Sequence, residues 1–317
     1  METDTIIGKY EARSDLALEV NENMQQKNQT CSGINVSKEY DKKSQLKITC
    51  IDIINSEGEK ALKRPMGRYV TAENIQLASA DEELQNNMAE KISDIIMEML
   101  KPYLPAKNPS VLVVGLGNKE VTPDCLGPLV TEYISVLKYK DEENGEKIQM
   151  TAIAPGVMAQ TGMETAVIIK GIVESSKPDA VIAIDALAAR SSARLNTTIQ
   201  LSNRGIHPGS GVGNHRMGIN EQTIGVPVIA IGIPTVIEAA TIVGDAMENF
   251  AASFAQSGLF EPMNRILNDM TDEEKRKLML EVMDPVMSEM YVTPRDVDAS
   301  VRRVAYIVAD AIDKLVE

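Results

Sequence analysis

Tryptophan is absent from this 317-residue chain and phenylalanine occurs only three times, so aliphatic side chains and 17 methionines must fill most of any core. Cysteine is scarce too. Cys31, Cys50 and Cys125 are too few and too scattered for a disulfide framework or a zinc ribbon, and an odd number fits a reducing compartment. No apolar run approaches the roughly 18 to 20 residues that span a bilayer. The N-terminus carries Glu2 and Asp4 and lacks the basic-then-apolar pattern of a secretory signal. Basic residues are outnumbered, 32 against 46 acids, and the net charge of -14 argues against a broad grip on DNA, RNA or anionic lipid. With 44% hydrophobic residues the chain can still bury a sizeable core. The expectation is a soluble, intracellular, acidic α/β protein with no membrane partner and no direct nucleic-acid partner.

Standard catalytic patterns are missing as well. There is no G-x-x-x-x-G-K-S/T, no H-E-x-x-H, no G-x-S-x-G and no Asp-Thr/Ser-Gly triplet. Gly115-Leu-Gly117 begins like a dinucleotide loop, but Lys119 and Glu120 stand where the third glycine belongs.

What is present is a change of rhythm along the chain. The first fifty or so residues are polar, with no sustained period. Residues 47–54, dominated by β-branched side chains, read as a strand, and 65–72 as a loop or short strand. From Asp81 to Leu100, acids in the first turn and apolar residues at Ile92, Ile95, Ile96 and Leu100 give amphipathic helix spacing. From Val111 strands and helices alternate: strands at 111–115, 149–154, 180–184, 196–201 and 228–233, helices near 126–137, 162–175, 243–256, 272–283 and 294–316. That order predicts a mostly parallel twisted sheet with helices on both faces. Between Ser202 and Pro227 runs a long glycine-rich connection, a length of loop that tends to be functional.

Two acids stand out. The apolar run 111–117 leads through a loop to Asp124, and the run Ala180-Val-Ile-Ala-Ile-Asp185 finishes on an acid. Ligands collect at the carboxyl ends of parallel strands, so both side chains are placed to face one crevice. If they share it, repulsion keeps one protonated while the other activates water, the logic of paired carboxylates. The structural alternatives are an N-cap for Asp124 and a bond from Asp185 to nearby backbone, Arg190 or Arg194. Cys125 is a candidate nucleophile or a buried inert thiol. His207 and His215 could join the acids in a metal site or be ordinary loop histidines.

Four long runs resemble the germination protease family of endospore-forming bacteria. They are Val111-Leu-Val-Val-Gly-Leu-Gly-Asn-Lys-Glu-Val-Thr-Pro-Asp-Cys-Leu-Gly-Pro128, Ala154-Pro-Gly-Val-Met-Ala-Gln-Thr-Gly-Met-Glu-Thr165, Ile184-Asp-Ala-Leu-Ala-Ala-Arg190 and His207-Pro-Gly-Ser-Gly-Val-Gly-Asn-His-Arg216. The resemblance covers nearly the whole chain and is weakest between about 20 and 45. It implies an endopeptidase that degrades small acid-soluble spore proteins early in germination. It further implies a fold related to the hydrogenase maturation proteases, with N-terminal additions. The family is classed as an unusual aspartic protease, and its two proposed essential acids match Asp124 and Asp185 by motif position. It is made as an inactive homotetrameric zymogen that clips its own N-terminus, which places the cut here between Asp15 and Leu16.

The implied domain layout is a pro-segment at 1–15, N-terminal additions at 16–105 and a catalytic α/β domain at 106–317. Gly117, Asn118, Gly156, Gly211 and His215 are expected to hold the substrate strand. The expected location is the cytoplasm of the forespore and the spore core, with no cofactor and no metal. Two alternatives stay open at this point: a metal-dependent peptidase using the same acids with a loop histidine, as in the nickel-binding hydrogenase relatives, and a noncatalytic spore-protein binder.

Overall fold

The computed structural model describes residues 18, 32–135, 148–209, 216–246, 270, 274, 281, 285–288 and 290–316. Asp15, Leu16, Gly211 and His215 lie outside these residues, as do nearly all of the helix expected at 272–283 and much of that at 243–256.

Nine strands form one sheet: β1 (Ile34–Asp41), β2 (Leu46–Ile53), β3 (Gly67–Glu73), β4 (Ser110–Gly115), β5 (Gln149–Ile153), β6 (Ala180–Ala189), β7 (Thr198–Ser202), β8 (Val228–Glu238) and β9 (Tyr291–Val292). Their order is β1-β2-β3-β7-β8-β6-β4-β5, with β9 paired to β8. The α/β class holds, and the parallel part is the block β8-β6-β4-β5. The remaining pairings are antiparallel, so the sheet is mixed rather than mostly parallel. The physical reason is connection length. The four-residue link from β1 to β2 permits only a hairpin, whereas the long connections from β4 to β5, β5 to β6 and β6 to β8 leave room for parallel neighbours.

Five helices of at least seven residues accompany the sheet among the described residues: α1 (Ser56–Leu62), α2 (Glu82–Leu100), α3 (Leu126–Tyr133), α4 (Thr165–Ser176) and α5 (Val297–Asp313). Alternating residues of the central strands feed two layers. Val111, Val113, Ile182, Ile184, Ile229 and Ile231 pack against α2, α3 and α5 through Ile92, Ile96, Val130, Val304 and Val308. Leu112, Val114, Val181 and Ala183 pack on the other side against Ile169 and Val173 of α4. Burial on both faces explains why these strands read as continuous apolar runs.

Three departures from expectation carry information. β1 lies in the polar segment without a readable period, because as an edge strand it is exposed along most of its length and needs no apolar face. α1 starts where Asn55 accepts hydrogen bonds at 3.0 Å from the amides of Glu57 and Gly58, an N-cap that no long apolar stripe announces. β6 does not finish on Asp185. It continues to Ala189 because Ala186, Leu187, Ala188 and Ala189 find partners on an equally prolonged β8, across a register shift between Leu187 and Ala188.

Candidate active site

The acid at 124 is positioned by a loop that folds back on itself. After β4 the chain passes Gly117, whose φ of 114° suits only glycine, and where a Cβ would lie 2.0 Å from the carbonyl oxygen of Asp124. That close approach lets the Asn118 amide donate to Asp124 Oδ2 at 2.7 Å. Asn118 Oδ1 in turn accepts from the Glu120 amide at 3.0 Å and from Gln160 Nε2 at 2.7 Å, which ties the loop to the turn at 156–161. Asp124 closes a single 3-10 turn, Thr122–Asp124, held to β8 by Thr235 Oγ1 donating to the Pro123 carbonyl at 2.7 Å. It is not the N-cap of α3. Cys125 occupies that position and makes no side-chain capping bond.

The acid at 185 is fixed by the sheet. β4 and β6 run parallel with Gly115 opposite Ile184, and the Leu116 amide donates to the Ile184 carbonyl at 2.8 Å. Asp185 therefore emerges beside Leu116, one residue beyond the last β4 to β6 pair and about one strand spacing, ~4.8 Å, across. The residue is 5% exposed, and its Oδ1 accepts from the Ala186 amide at 3.0 Å. Its partner on β8 is Gly232, where a Cβ would strike the Leu187 side chain at 2.3 Å. Arg194, one of the cations considered for it, pairs with Glu73 at 3.2 Å.

α3 holds the two halves together. A Cβ on Gly115 would sit 2.1 Å from the Gly127 carbonyl oxygen, and one on Gly127 would sit 2.4 Å from that of Leu116 and 2.7 Å from that of Ile184. The helix following Asp124 thus rests directly on the backbone of both strands that present the acids. Both residues lie past the same end of β4, where β4 has stopped at Gly115 and β5 at Ile153 while β6 runs on.

Electrostatics add a third participant. Burial pushes the Asp124 carboxyl above its ordinary value, opposed by the Asn118 hydrogen bond and by the positive charge of Arg216. Arg216 Nη1 is itself buried and has no hydrogen-bond partner among the described residues. Around the loops, Val121, Met158, Met163 and Met217 expose apolar side chains.

Comparison with known proteins decides the lineage. The germination protease family model matches residues 10–261. A germination protease of Caldanaerobacter subterraneus is 41% identical over 307 residues, covering 95% of this chain and 93% of that one. The Clostridium perfringens strain 13 protein is 40% identical, with 96% and 94% covered. The chain belongs to the germination protease family. A more distant member, from Bacillus pumilus, shares 37% identity across 97% of this chain and 94% of its own. Among solved structures, a nickel–iron hydrogenase maturation protease of Thermococcus kodakarensis aligns at 18% identity over 43% of this chain and 80% of that one. Its TM-score of 0.30 carries no argument.

Membership of the germination protease family brings the peptidase class with it, and the remaining candidate residues sort accordingly. Cys125 is 8% exposed and sits in the core between the sheet and α2, α3 and α5. Its thiol donates to the Thr122 carbonyl at 3.1 Å, and burial pushes its pKa up. That is the environment of an inert thiol. His207 is exposed and lies against Gly218, where a Cβ would be 2.7 Å from its Nε2. Among the described residues no group of three His, Cys, Asp or Glu side chains gathers as a metal site would require, and no helix is long and apolar enough to cross a membrane. Gly117, Asn118 and Gly156 fall within the acid-bearing loop and the turn bonded to it. Arg216 was not singled out from sequence as a site residue. The available signal is a cation inside the glycine-rich connection, and the burial of its Nη1 has no sequence signature.

Proposed function

We propose that this protein is an endopeptidase that opens the degradation of small acid-soluble spore proteins during germination, with Asp124 and Asp185 jointly activating one water molecule. What supports this reading is that Asp185 stands one residue past the last β4–β6 pair and Asp124 in the turn that follows β4, each carboxylate held by a backbone amide. In the reaction, Asp185 takes a proton from water as the water oxygen bonds to the scissile carbonyl carbon. Asp124, whose proton is favoured by burial, donates to the peptide group as the carbon–nitrogen bond breaks. The dyad ends with the same number of protons, and solvent returns them to their starting positions. The exposed apolar collar of Val121, Met158 and Met163 supports an extended peptide lying over the loops.

The rest of the reading follows from the family and stands as proposal. The chain is made as a self-processing homotetrameric zymogen in the forespore, and is cut between Asp15 and Leu16. Residues 1–15 are the pro-segment, 16–105 the N-terminal additions and 106–317 the catalytic domain. No metal or cofactor takes part.

The test is incubation of the purified protein, after its cut between Asp15 and Leu16, with a small acid-soluble spore protein, with fragments identified by mass spectrometry. Defined internal cuts that persist in a chelator and in Cys125→Ala are expected. Binding without fragments would establish a noncatalytic binder. Activity abolished by chelator and restored by added divalent metal would establish a metallopeptidase.

A further inference from the structure

Arg216 lies at the site without a role in the two-carboxylate scheme, and one of its donors has nothing to hold. Its charge acts on Asp124, and its Nη1 is buried with no hydrogen-bond partner among the described residues. A guanidinium donor kept dry and unpaired is a costly arrangement, and buried donors in native structures are nearly always satisfied. The exceptions point to a partner that arrives during function. Guanidinium N–H groups accept nothing and donate best to anionic oxygen, so the missing partner is an oxygen that carries or acquires negative charge.

Position narrows the choice. Arg216 precedes Gly218 and Ile219, and the bridge between Ile219 and Ile206 anchors that end of the long connection to the chain leaving β7. Ile219 is fully buried in the layer that also holds Leu116 and Val114. The arginine is therefore carried on an anchored stretch that packs against the end of β4, from which the loop bearing Asp124 departs. A cation held on this stretch, with its charge felt at Asp124, is placed to meet the carbonyl of a peptide bound over the two acids.

We propose that Arg216 is a further catalytic residue, donating to the carbonyl oxygen of the scissile peptide and stabilising the negative charge it gains when water adds. This inference rests on the reading of Asp124 and Asp185 as the water-activating pair. The balance is complete with the groups named. The water oxygen bonds to carbon, one water proton passes to Asp185, and the carbonyl π electrons move to oxygen opposite Arg216. The oxyanion then collapses, and the leaving nitrogen takes its proton from Asp124. Arg216 keeps all its protons throughout. With the oxygen served by arginine, the proton of Asp124 is directed to nitrogen.

The test compares Arg216→Gln and Arg216→Lys with the unaltered protein. Steady-state cleavage of a small acid-soluble spore protein gives kcat and KM. Affinity for the intact substrate is measured in an Asp185→Asn background, in a chain that begins at Leu16 because this variant is expected not to process itself. Arg216→Gln is expected to lower kcat by about 10² to 10³-fold, the loss typical of removing one oxyanion donor, while affinity changes less than about threefold. Arg216→Lys should recover at least about tenfold of that loss by restoring charge. Carbon-13 NMR of labelled aspartate should show the Asp124 titration moving upward in Arg216→Gln, a readout independent of turnover. An unchanged kcat, or a loss confined to KM and affinity, overturns the proposal, the latter assigning Arg216 to gripping a substrate carboxylate. If the unaltered protein cleaves nothing, the two-carboxylate reading fails first, and an unmoved Asp124 titration separately removes Arg216 from the site. Should Arg216→Gln not fold, the lysine variant decides, since a retained charge with displaced geometry still predicts reduced kcat at unchanged affinity.

Discussion

Replacing Gly127 by alanine probes how the site is held together. The new Cβ would lie 2.4 Å from the Leu116 carbonyl oxygen, 2.5 Å from the Leu116 nitrogen and 2.7 Å from the Ile184 carbonyl oxygen, whereas ordinary contact begins at 3.4 Å. All three are backbone atoms, of β6 and of the residue that follows β4, so no rotamer change relieves the clash. The helix must retreat by about 1 Å, and Asp124, three residues earlier, moves with it. Overpacking of this kind costs about 1–3 kcal/mol. A displacement of about 1 Å between reacting groups costs about 10²-fold in rate. Gly171→Ala is the internal control. It lies in α4 with nothing within 4 Å of its would-be Cβ, so the same substitution should stabilise by about 0.5–1 kcal/mol and leave turnover unchanged. Urea unfolding and single-turnover cleavage of a spore protein measure both. Wild-type stability and rate in Gly127→Ala would refute the claim that this contact sets the spacing of the carboxylates.

Two further outcomes follow from burial. Asp124→Asn should raise stability at neutral pH, because the folded carboxyl titrates above its ordinary 3.8 and the native state therefore binds the proton more tightly than the unfolded chain. The stabilising contribution of the protonated acid is complete below 3.8 and is lost as pH rises through the folded value. The advantage of the asparagine variant should accordingly vanish in acid, and denaturant titrations at pH 7 and pH 3.5 showing equal differences would contradict it. Thr71→Val should stabilise by about 1 kcal/mol, because the hydroxyl is buried without a partner in a side chain only 1% exposed. A loss of similar size would instead reveal an ordered water bound to that hydroxyl.

Sequence made the parallel core legible because its strands are buried on both faces. Val111, Val113, Ile182 and Ile184 sit in runs with nothing polar to interrupt them, and α2 and α5 announce themselves through apolar residues at helical spacing. β1 was not legible, since an exposed edge strand imposes no pattern on its side chains. The overrun of β6 past Asp185 was hidden for another reason. Three of the four added residues are alanines, whose strand character comes from pairing with β8 rather than from their own preference. The two acids could be marked from their place after apolar runs. What sequence could not supply was the contact of Gly127 with both strands, or the orphaned donor of Arg216. Both depend on packing between segments far apart along the chain.

The most direct test of the two-carboxylate account is single-turnover cleavage of a small acid-soluble spore protein by Asp124→Asn, Asp185→Asn and the double variant. Groups that act as one unit lose their effect together, so the double variant should be no slower than the more damaging single one. Losses that add in free energy, or near-normal turnover in either single variant, would contradict it.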